Sequence, residues 1–344
     1  MLTAKNHPEL WMEVREAGLY CIPADTYIDP MLPVTHAIVT HGHADHARAG
    51  HEHVWATPET LAIMATRYGE QHCTARYAYR YGERVPLPGS QTVFMTFYPA
   101  GHILGSAQVL LEYQGARIVI SGDYKRTPDP SCTAFTPVPC DVFITEATFA
   151  LPVFKHPPIQ NEIAKLLRSL STFTQRAHIV GVYALGKCQR ILLGLRAAGY
   201  TKPVYLHGAM LKLVALYETF GFDFGEVIPV SDVGDLSQLG GEIVLAPPSA
   251  MHDRWSRKLP DPIACFASGW MQIRARAKQK NCELPLMVSD HCDWQELLDS
   301  IEDIQPREVW VTHGREDALI HAISQRGIKA RALRLVGYDD ESDT

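Results

Sequence analysis

The sequence predicts an α/β protein in which a second α/β unit interrupts the first, and three observations support this fold class. Short apolar runs of strand length alternate with amphipathic patterns of helical period. Several of the strand-like runs end abruptly at a His, Asp or Glu, and a Pro-rich break at 151–158 begins a new series of strands and helices. The 344 residues suffice for two units that each bury a core.

The predicted strands before and after the inserted unit carry titratable residues at or near their ends. Strand-like runs cover 36–40, 92–101, 116–122, 141–148, 284–290 and 308–312. Within or directly after these runs lie His41, His102, Asp123, Glu146, His291 and His313. Amphipathic helices are predicted over 187–199, 209–221 and 293–304. Because loops gather at the ends of strands, we expect these side chains to converge.

The middle of the chain predicts an inserted domain. After the break at LPVFKHPP, the strand patterns AHIVGVY, PVYLHG, EIVLAPP and PIACFASG alternate with helices. The first pattern resumes at Leu284. We therefore expect 1–151 and 284–344 to form one domain and 152–283 to form an insert of roughly 130 residues. The acidic tail at 337–344 is expected to be frayed.

Charge is unevenly distributed along the chain. The formal net charge is −6, but 155–280 contains 16 Lys and Arg against 9 Asp and Glu, whereas the remainder contains 16 against 29. A basic segment within an acidic frame is compatible with a phosphate-binding surface, and equally with a solvated surface of chance asymmetry. No long apolar run or signal core is present and the eight cysteines form no CxxC pair, so we expect a cytoplasmic protein with reduced thiols and no membrane contact.

The segment HGHADH predicts a metal site. It places His41, His43, Asp45 and His46 within six residues directly after a strand. Imidazole nitrogen and carboxylate oxygen suit borderline divalent ions such as Zn²⁺ or Mn²⁺. So closely spaced, the four side chains cannot all face one ion without strain, and two neighbouring ions remove the difficulty. A surface His cluster is the alternative.

Two further residues at strand ends fit the same site. His102, in PAGHILGSAQ, offers a neutral nitrogen, and Asp123, in ISGDYKR, offers a carboxylate that can bridge two cations. A charged Asp at the end of so apolar a strand needs a partner. Taken alone, either residue could instead serve as a cap or a turn residue. In combination with HGHADH, metal binding is favoured.

HGHADH, the Gly-His of PAGHILG and the strand-end Asp together resemble the metallo-β-lactamase fold. The resemblance implies an αββα sandwich with a dinuclear site at one edge of its sheets. It also implies one metal held by His41, His43 and His102, a second held by Asp45, His46 and a late histidine, His313, and Asp123 between the two.

Three later motifs resemble the β-CASP branch of that superfamily, whose members act on nucleic acid. They are Glu146 in DVFITEATF, His291 in VSDHCDW and His313 in WVTHGRE, and the branch inserts a domain between the first two. Longer segments, such as GLYCIPADTYIDP, SGDYKRTPDPSC, ALGKCQR and FASGWMQIRAR, resemble the bacterial ligase-associated DNA exonucleases. That resemblance implies an exonuclease of DNA repair that is associated with a DNA ligase and a helicase. A loop that often reads Ser-Gly-Met in the branch is PPSAM here, with Ser249 at its centre.

The resemblance also implies roles in catalysis. Two divalent ions would activate water, with catalytic roles for Asp123 and Asp45, while His291, oriented by Glu146, would protonate the leaving oxygen. His291 could instead be a structural cap of the following helix. The residues expected to contact nucleic acid are Lys187, Arg190, Ser249, Arg274 and Arg276, with Lys278 and Lys280 nearby. Their cations could equally form a solvated helix face.

Other functions use the same core motifs. A thioesterase or lactamase would need the same metals but would not account for the basic insert or for Glu146 and His291. A ribonuclease of the same branch shares the phosphate chemistry and differs in contacts to the 2′-hydroxyl. A binding subunit with an inactive site is disfavoured, because every expected ligand is present. The resemblance to the ligase-associated DNA exonucleases favours DNA as the substrate, and RNA is the alternative.

Overall fold

A computed structural model describes residues 3, 5–88 and 91–335. The tail that the sequence predicts to be frayed, 337–344, lies outside the described residues. The chain divides into two compact units. Among the described residues, the first comprises those within Met1–Val153 and His291–Asp343, and the second is Phe154–Asp290.

The first unit begins with a six-stranded sheet whose strands lie in chain order. The strands are β1 (Met12–Arg15), β2 (Gly18–Cys21), β3 (Thr26–Ile28), β4 (His36–Ile38), β5 (His51–Ala56) and β6 (Cys73–Ala78). β1, β2 and β3 pair antiparallel, whereas β3 to β6 pair parallel. The parallel part brings the ends of β3 and β4, and therefore the loops that follow them, to one edge of the sheet.

A seven-stranded sheet forms the second layer. It consists of β7 (Arg84–Pro86), β8 (Phe94–Pro99), β9 (Ala107–Tyr113), β10 (Ala116–Ile120), β11 (Val142–Ala147), β18 (Glu308–Gly314) and β19 (Lys329–Ala332). Its spatial order is β19-β18-β11-β10-β9-β8-β7. Because β10, β11 and β18 run parallel, their carboxyl ends, which precede Asp123 and contain Glu146 and His313, lie side by side.

Alternating side chains build the sandwich from these sheets. In β10, Ile118 and Ile120 face the core between the two sheets, and Val119 faces the opposite side. On the outer face of the first sheet lies helix α1 (Pro58–Tyr68), and on that of the second lie α6 (Trp294–Ile304) and α7 (Glu316–Gln325). The layers are therefore helix, sheet, sheet and helix, which confirms the sandwich that the resemblance implies.

The second unit is a parallel α/β domain. Its sheet has the order β14 (Val227–Pro229), β13 (Val204–Leu206), β15 (Ile243–Ala246), β12 (His178–Gly181), β16 (Ile263–Ala267) and β17 (Leu284–Leu286). Its helices are α2 (Ile159–Thr172), α3 (Lys187–Ala197), α4 (Gly208–Thr219) and α5 (Arg274–Gln279). All its strand pairs are parallel, so the loops that follow β12, β15 and β16 leave from one edge.

The end of the second unit differs from the expected border. The sequence places the return to the first unit at Leu284, but Leu284–Leu286 pairs in parallel with β16 and belongs to the second unit's sheet. An apolar run of this length fits either sheet, and only the pairing partner distinguishes them. The unit therefore extends to Asp290. None of the helices described is long and apolar enough to cross a membrane.

Candidate metal centre and catalytic pair

The loop that follows β4 carries the HGHADH side chains. His41 and His46 are fully buried, while His43 and Asp45 are partly exposed. The backbone of the loop folds on itself, because the N–H groups of His46 and Ala47 both donate to the carbonyl of His43. This compact turn directs four potential ligands toward the edge of the sandwich.

One group of converging ligands comprises His41, His43, His102 and Asp123, each of which places a ligand atom within 4.8 Å of the others. Nε2 of His102 lies 2.9 Å from Nδ1 of His43. Oδ2 of Asp123 lies 3.4 Å from Nε2 of His41 and 3.8 Å from Nε2 of His102. Three imidazoles and a carboxylate at these separations match the ligand set of a divalent transition metal.

A second group shares Asp123 with the first. It comprises Asp45, His46 and Asp123. Nε2 of His46 lies 3.5 Å from Oδ1 of Asp123 and 3.7 Å from Oδ2 of Asp45. The ring of His313 lies 5.4 Å from that of His46, measured between centroids. Since the two oxygens of Asp123 face different histidines, its carboxylate stands where a bridging ligand between two ions would.

The tautomers of two histidines are set by neighbours on their far side. Oγ1 of Thr40 lies 3.1 Å from Nδ1 of His41, and Oδ2 of Asp29 lies 2.7 Å from Nδ1 of His46. With the proton of each ring on Nδ1, Nε2 keeps its lone pair. Nε2 of His41 is buried and makes no hydrogen bond within the described residues. A buried nitrogen of this kind, 3.4 Å from Oδ2 of Asp123, fits a metal ligand.

Asp29 is a residue of the site that the sequence reasoning missed. It follows β3, is 4 % exposed, and accepts hydrogen bonds from the backbone N–H and the hydroxyl of Thr40, at 2.7 and 2.6 Å, besides its contact with His46. The signal was present in the sequence, since Asp29 ends the apolar run TYID just as Asp123 ends its own.

The electrostatics of the cluster separate neutral from charged side chains. Burial and the neighbouring His46 lower the pKa of His41 well below 6.5, and burial and His46 lower the pKa of His313 to about 3. Burial would also lower the pKa of His46, but Asp123, Asp45 and Asp29 together raise it. Burial would raise the pKa of Asp123, but His46 and His291 hold it well below 3.8. Neutral His41 and His313 and ionised Asp123 are in the protonation states that metal ligands require, whereas His46 would have to release a proton when a metal binds.

A glycine and a bulge position the distant histidines. Gly101 has φ +74° and a Cβ there would clash with the carbonyl of Lys125, so only glycine lets His102 approach the loop after Asp123. The pairing of β11 with β18 shifts by one residue between Thr145 and Ala147, opposite Val311 and Gly314. Such a bulge re-aims the side chains next to it. His313 lies within it, at φ +53°.

Glu146 and His291 form a buried pair beside the cluster. Nδ1 of His291 lies 2.9 and 3.1 Å from the two oxygens of Glu146. The carboxylate of Glu146 also accepts the backbone N–H of Tyr124 and the hydroxyl of Thr148. Burial raises the pKa of Glu146, and the opposing effect of His291 does not cancel this rise. Asp123, Glu146 and His291 place ligand atoms within 4.8 Å of one another, so the pair adjoins the two ligand groups.

The structure corrects two of the predicted nucleic-acid contacts. Lys187 and Arg190 are only 3 % and 2 % exposed. Nζ of Lys187 lies 3.1 Å from Asp290, and Nη1 of Arg190 donates to the carbonyl of Ser289. The alternative of a solvated helix face does not hold for these two side chains, because their charged groups contact Asp290 and Ser289 of the second unit. This burial argues against direct phosphate contact by either side chain.

The other predicted contacts follow β15 and β16, at one edge of the second unit's sheet. Ser249 is exposed after β15, and Arg274 is exposed after β16. Lys278 and Lys280 are also exposed, whereas the guanidinium of Arg276 lies over the ring of Trp270 at 4.1 Å. Ligands of parallel sheets bind at this edge, beyond the carboxyl ends of the strands. The loop after β15 adds Arg254, which is exposed and which sequence reasoning did not single out.

Comparison with known proteins finds relatives whose names refer to different activities. No family model matches the sequence. A probable DNA ligase of Opitutus terrae is 29 % identical over 327 residues, which cover 92 % of this chain and 30 % of that protein. Cleavage and polyadenylation specificity factor subunit 3-I of Arabidopsis thaliana is 24 % identical over 277 residues, which cover 65 % of this chain and 39 % of that protein.

A solved structure resembles the fold. A protein of unknown function from Enterococcus faecalis superposes with a TM-score of 0.52 at 14 % identity, covering 81 % of this chain and 75 % of that one. At this identity the likeness concerns the fold alone. The chain spans about a third of the length of the two relatives above. In its relatives and in its sandwich with an inserted α/β unit, the chain is similar to the β-CASP branch of the metallo-β-lactamase superfamily.

Proposed function

We propose that this chain is a two-metal phosphodiesterase that hydrolyses nucleic acid, acting as a DNA exonuclease in end processing or repair. One observation carries the proposal. Side chains that are remote in sequence meet as two ligand groups that share Asp123, and the Glu146–His291 pair adjoins them. The first feature supports hydrolysis, and the second supports a leaving group that needs a proton.

The proposed ligands divide between the two ions as the two groups do. His41, His43 and His102 would hold one, Asp45, His46 and His313 the other, and Asp123 would bridge them. The nitrogen and oxygen donors suit Zn²⁺ or Mn²⁺. Such a pair of ions supplies a water of lowered pKa and neutralises charge on the phosphoryl oxygens.

The remaining steps belong to the chain's own residues. Asp29 and Thr40 hold His46 and His41 with Nε2 toward the site. Glu146 accepts Nδ1–H of His291 and thereby turns Nε2 of His291 away from itself. In that tautomer and when protonated, His291 can donate the Nε2 proton to the departing sugar oxygen as a general acid. The buried carboxylate of Glu146 stabilises the imidazolium before that transfer.

DNA is the proposed polymer because of the relative that spans most of this chain. The probable DNA ligase aligns over 92 % of it. An enzyme that trims ends and one that seals them act on the same substrate, so a DNA ligase is also the proposed functional partner. The relative named for cleavage and polyadenylation favours RNA as the second candidate, and it aligns over 65 %.

The decisive experiment uses end-labelled polymers. Single- and double-stranded DNA and RNA, labelled at the 5′ or the 3′ end, are incubated with the protein and Zn²⁺ or Mn²⁺. A ladder or mononucleotide product from DNA supports the proposal, and cleavage of RNA alone would favour the second candidate. Nitrocefin and S-lactoylglutathione serve as parallel substrates, and turnover of either without cleavage of nucleic acid would refute the proposal.

The variant His291→Ala tests the catalytic pair in the same assay. It should retain the metals, because His291 is not among the proposed ligands. It should lose at least about a hundredfold in rate, within the range of general acid catalysis. Normal turnover by the metallated variant would remove the role assigned to His291.

A further inference from the structure

The carboxylate of Glu296 connects two loops of the candidate site. Glu296 lies in the first turn of α6, and its side chain is 15 % exposed. Its Oε2 accepts the backbone N–H of Asp293 at 3.1 Å. Its Oε1 accepts the backbone N–H and the hydroxyl of Thr127, at 2.8 and 2.5 Å. Each oxygen therefore holds a different segment of the chain.

These two segments carry the catalytic side chains. Asp293 is two residues beyond His291, and Thr127 is four residues beyond Asp123. The same segments also meet through their backbones, where Cys292 N–H donates to the carbonyl of Tyr124 at 2.8 Å. Nζ of Lys125 lies 3.4 Å from both the carbonyl of His291 and Oε2 of Glu296. Glu296 is thus the side chain in which the contacts of the two loops converge.

Helix capping accounts for only half of these contacts. Glu296 and the N-cap residue Asp293 form a capping box, for which one oxygen of Glu296 suffices. The bonds from Oε1 to Thr127 contribute nothing to the cap. Burial would raise the pKa of Glu296, but Lys125 and the bonds from Thr127 lower it, so the carboxylate is ionised near neutral pH and its hydrogen bonds are charge-assisted.

We propose that Glu296 is a positioning residue, which holds His291 against Glu146 and at a fixed place relative to Asp123. The inference rests on the proposed function, in which His291 protonates the leaving oxygen. Loss of the Glu296 carboxylate leaves the metal ligands in place but allows the imidazole of His291 to move. A shift of about 1 Å in a catalytic group can reduce the rate by about a hundredfold.

The leaving group of the substrate separates this role from general stability. In DNA the leaving group is a sugar alkoxide, which needs a proton. In the p-nitrophenyl ester of thymidine 5′-phosphate the leaving group is p-nitrophenolate, which is stable without one. Glu296→Gln should lower kcat on DNA by about ten- to a hundredfold. On the ester it should change kcat less than about twofold, as should His291→Ala. Equal losses on both substrates would overturn the proposal.

A matched control comes from the same two segments. Nη2 of Arg126 lies 2.6 Å from Asp303 on α6, a more exposed ion pair that joins the same segment to the other end of the helix. Asp303→Asn should leave both activities near wild type. Thr127→Val removes one of the bonds to Oε1 without changing a charge, and it should show a smaller loss on DNA alone. It provides the test if Glu296→Gln does not fold.

A second measurement does not depend on activity. In protein with ¹⁵N-labelled histidine, Nδ1–H of His291, bonded to buried Glu146, should give a low-field proton signal that exchanges slowly and vanishes in His291→Ala. We expect Glu296→Gln, or Thr127→Val in its place, to broaden or abolish this signal. If the signal stays sharp, Glu296 does not position His291, whatever the substrate. If the signal is lost and the wild-type protein cleaves no nucleic acid, only the proposed function fails.

Discussion

Nε2 of His102 lies 2.9 Å from Nδ1 of His43, although 59 residues separate them. Two ring nitrogens at this distance share either a proton or a cation. Nε2 of His41 and the carboxylate of Asp123 lie at the same place, which favours the cation. Any wide separation of His102 from the HGHADH loop would have removed the metal site, and with it the proposed chemistry.

Asp123→Ala should release metal. The carboxylate is the member that both ligand groups share, so its loss weakens both sites and leaves His46 buried beside less negative charge. We expect metal content, measured by mass spectrometry after dialysis, to fall below one equivalent and phosphodiesterase activity to vanish. Asp303→Asn is the control and should keep the wild-type content. A fully metallated, active Asp123→Ala protein would refute the bridging role.

Asp29→Asn should weaken metal binding without removing a ligand. An amide can accept from Thr40, but it presents a donor or a weaker acceptor to Nδ1 of His46, so the tautomer of that ring is no longer fixed. Loss of such a supporting contact typically costs ten- to a hundredfold in metal affinity. Competition with a chromophoric chelator measures it. Affinity equal to that of the wild type would show that Asp29 serves the fold alone.

His51 should make the first unit less stable in mild acid. Burial, followed by the nearby His72, lowers the pKa of His51 to about 4, and its Nδ1 accepts the backbone N–H of Val34. Below pH 6.5 His51 is protonated in the unfolded chain but stays neutral in the folded chain. The free energy of unfolding therefore falls as the pH drops from about 6.5 to about 4, by up to about 1.4 kcal/mol per pH unit. Above that window the effect is nil.

The variant His51→Asn tests this dependence. Its Oδ1 can replace Nδ1 as the acceptor for Val34, but it does not titrate. Urea unfolding with chelator present, at several pH values, should show a shallower loss of stability between pH 6.5 and 4 than in the wild type. Parallel curves for the two proteins would contradict the prediction.

Exposed cations after β16 should contribute to DNA binding through phosphates. Arg274→Ala and Lys278→Ala each remove one exposed charge from this segment. Each should reduce the slope of log Kd against log salt concentration by about one, because one fewer counterion is released. Fluorescence anisotropy with labelled DNA measures the slope. Lys329→Ala, an exposed lysine of β19, is the control and should leave it unchanged.

Much of the sandwich could be predicted from local pattern. The runs that contain β8, β10, β11 and β18 are apolar, rich in branched residues and of strand length, and the structure places strands in each. The helix predicted at 293–304 begins at its capping box, with Asp293 and Glu296 at the N-cap and third positions. The run at Leu284 was assigned to the wrong sheet because its pattern is the same in both.

Solvent exposure was less predictable than secondary structure. Lys187 and Arg190 look like surface cations in ALGKCQR, but both are buried with acceptors from 289–290. Those acceptors lie about a hundred residues away in sequence, so no local pattern reports them. Asp29 was missed for a related reason, since its role depends on His46 and Thr40, which come later in the chain.

The sequence by itself determined which side chains can do chemistry, because the type of each donor and its place at a strand end are written locally. Hydrophobic period also indicated the strands and helices, while the layered sandwich was implied by the resemblance to the metallo-β-lactamase fold. Only the tertiary structure decided which donors meet, which nitrogen of each histidine faces the site, and which cations keep contact with water. These depend on pairing and packing between segments that are distant in sequence, and no local pattern in the sequence specifies such contacts.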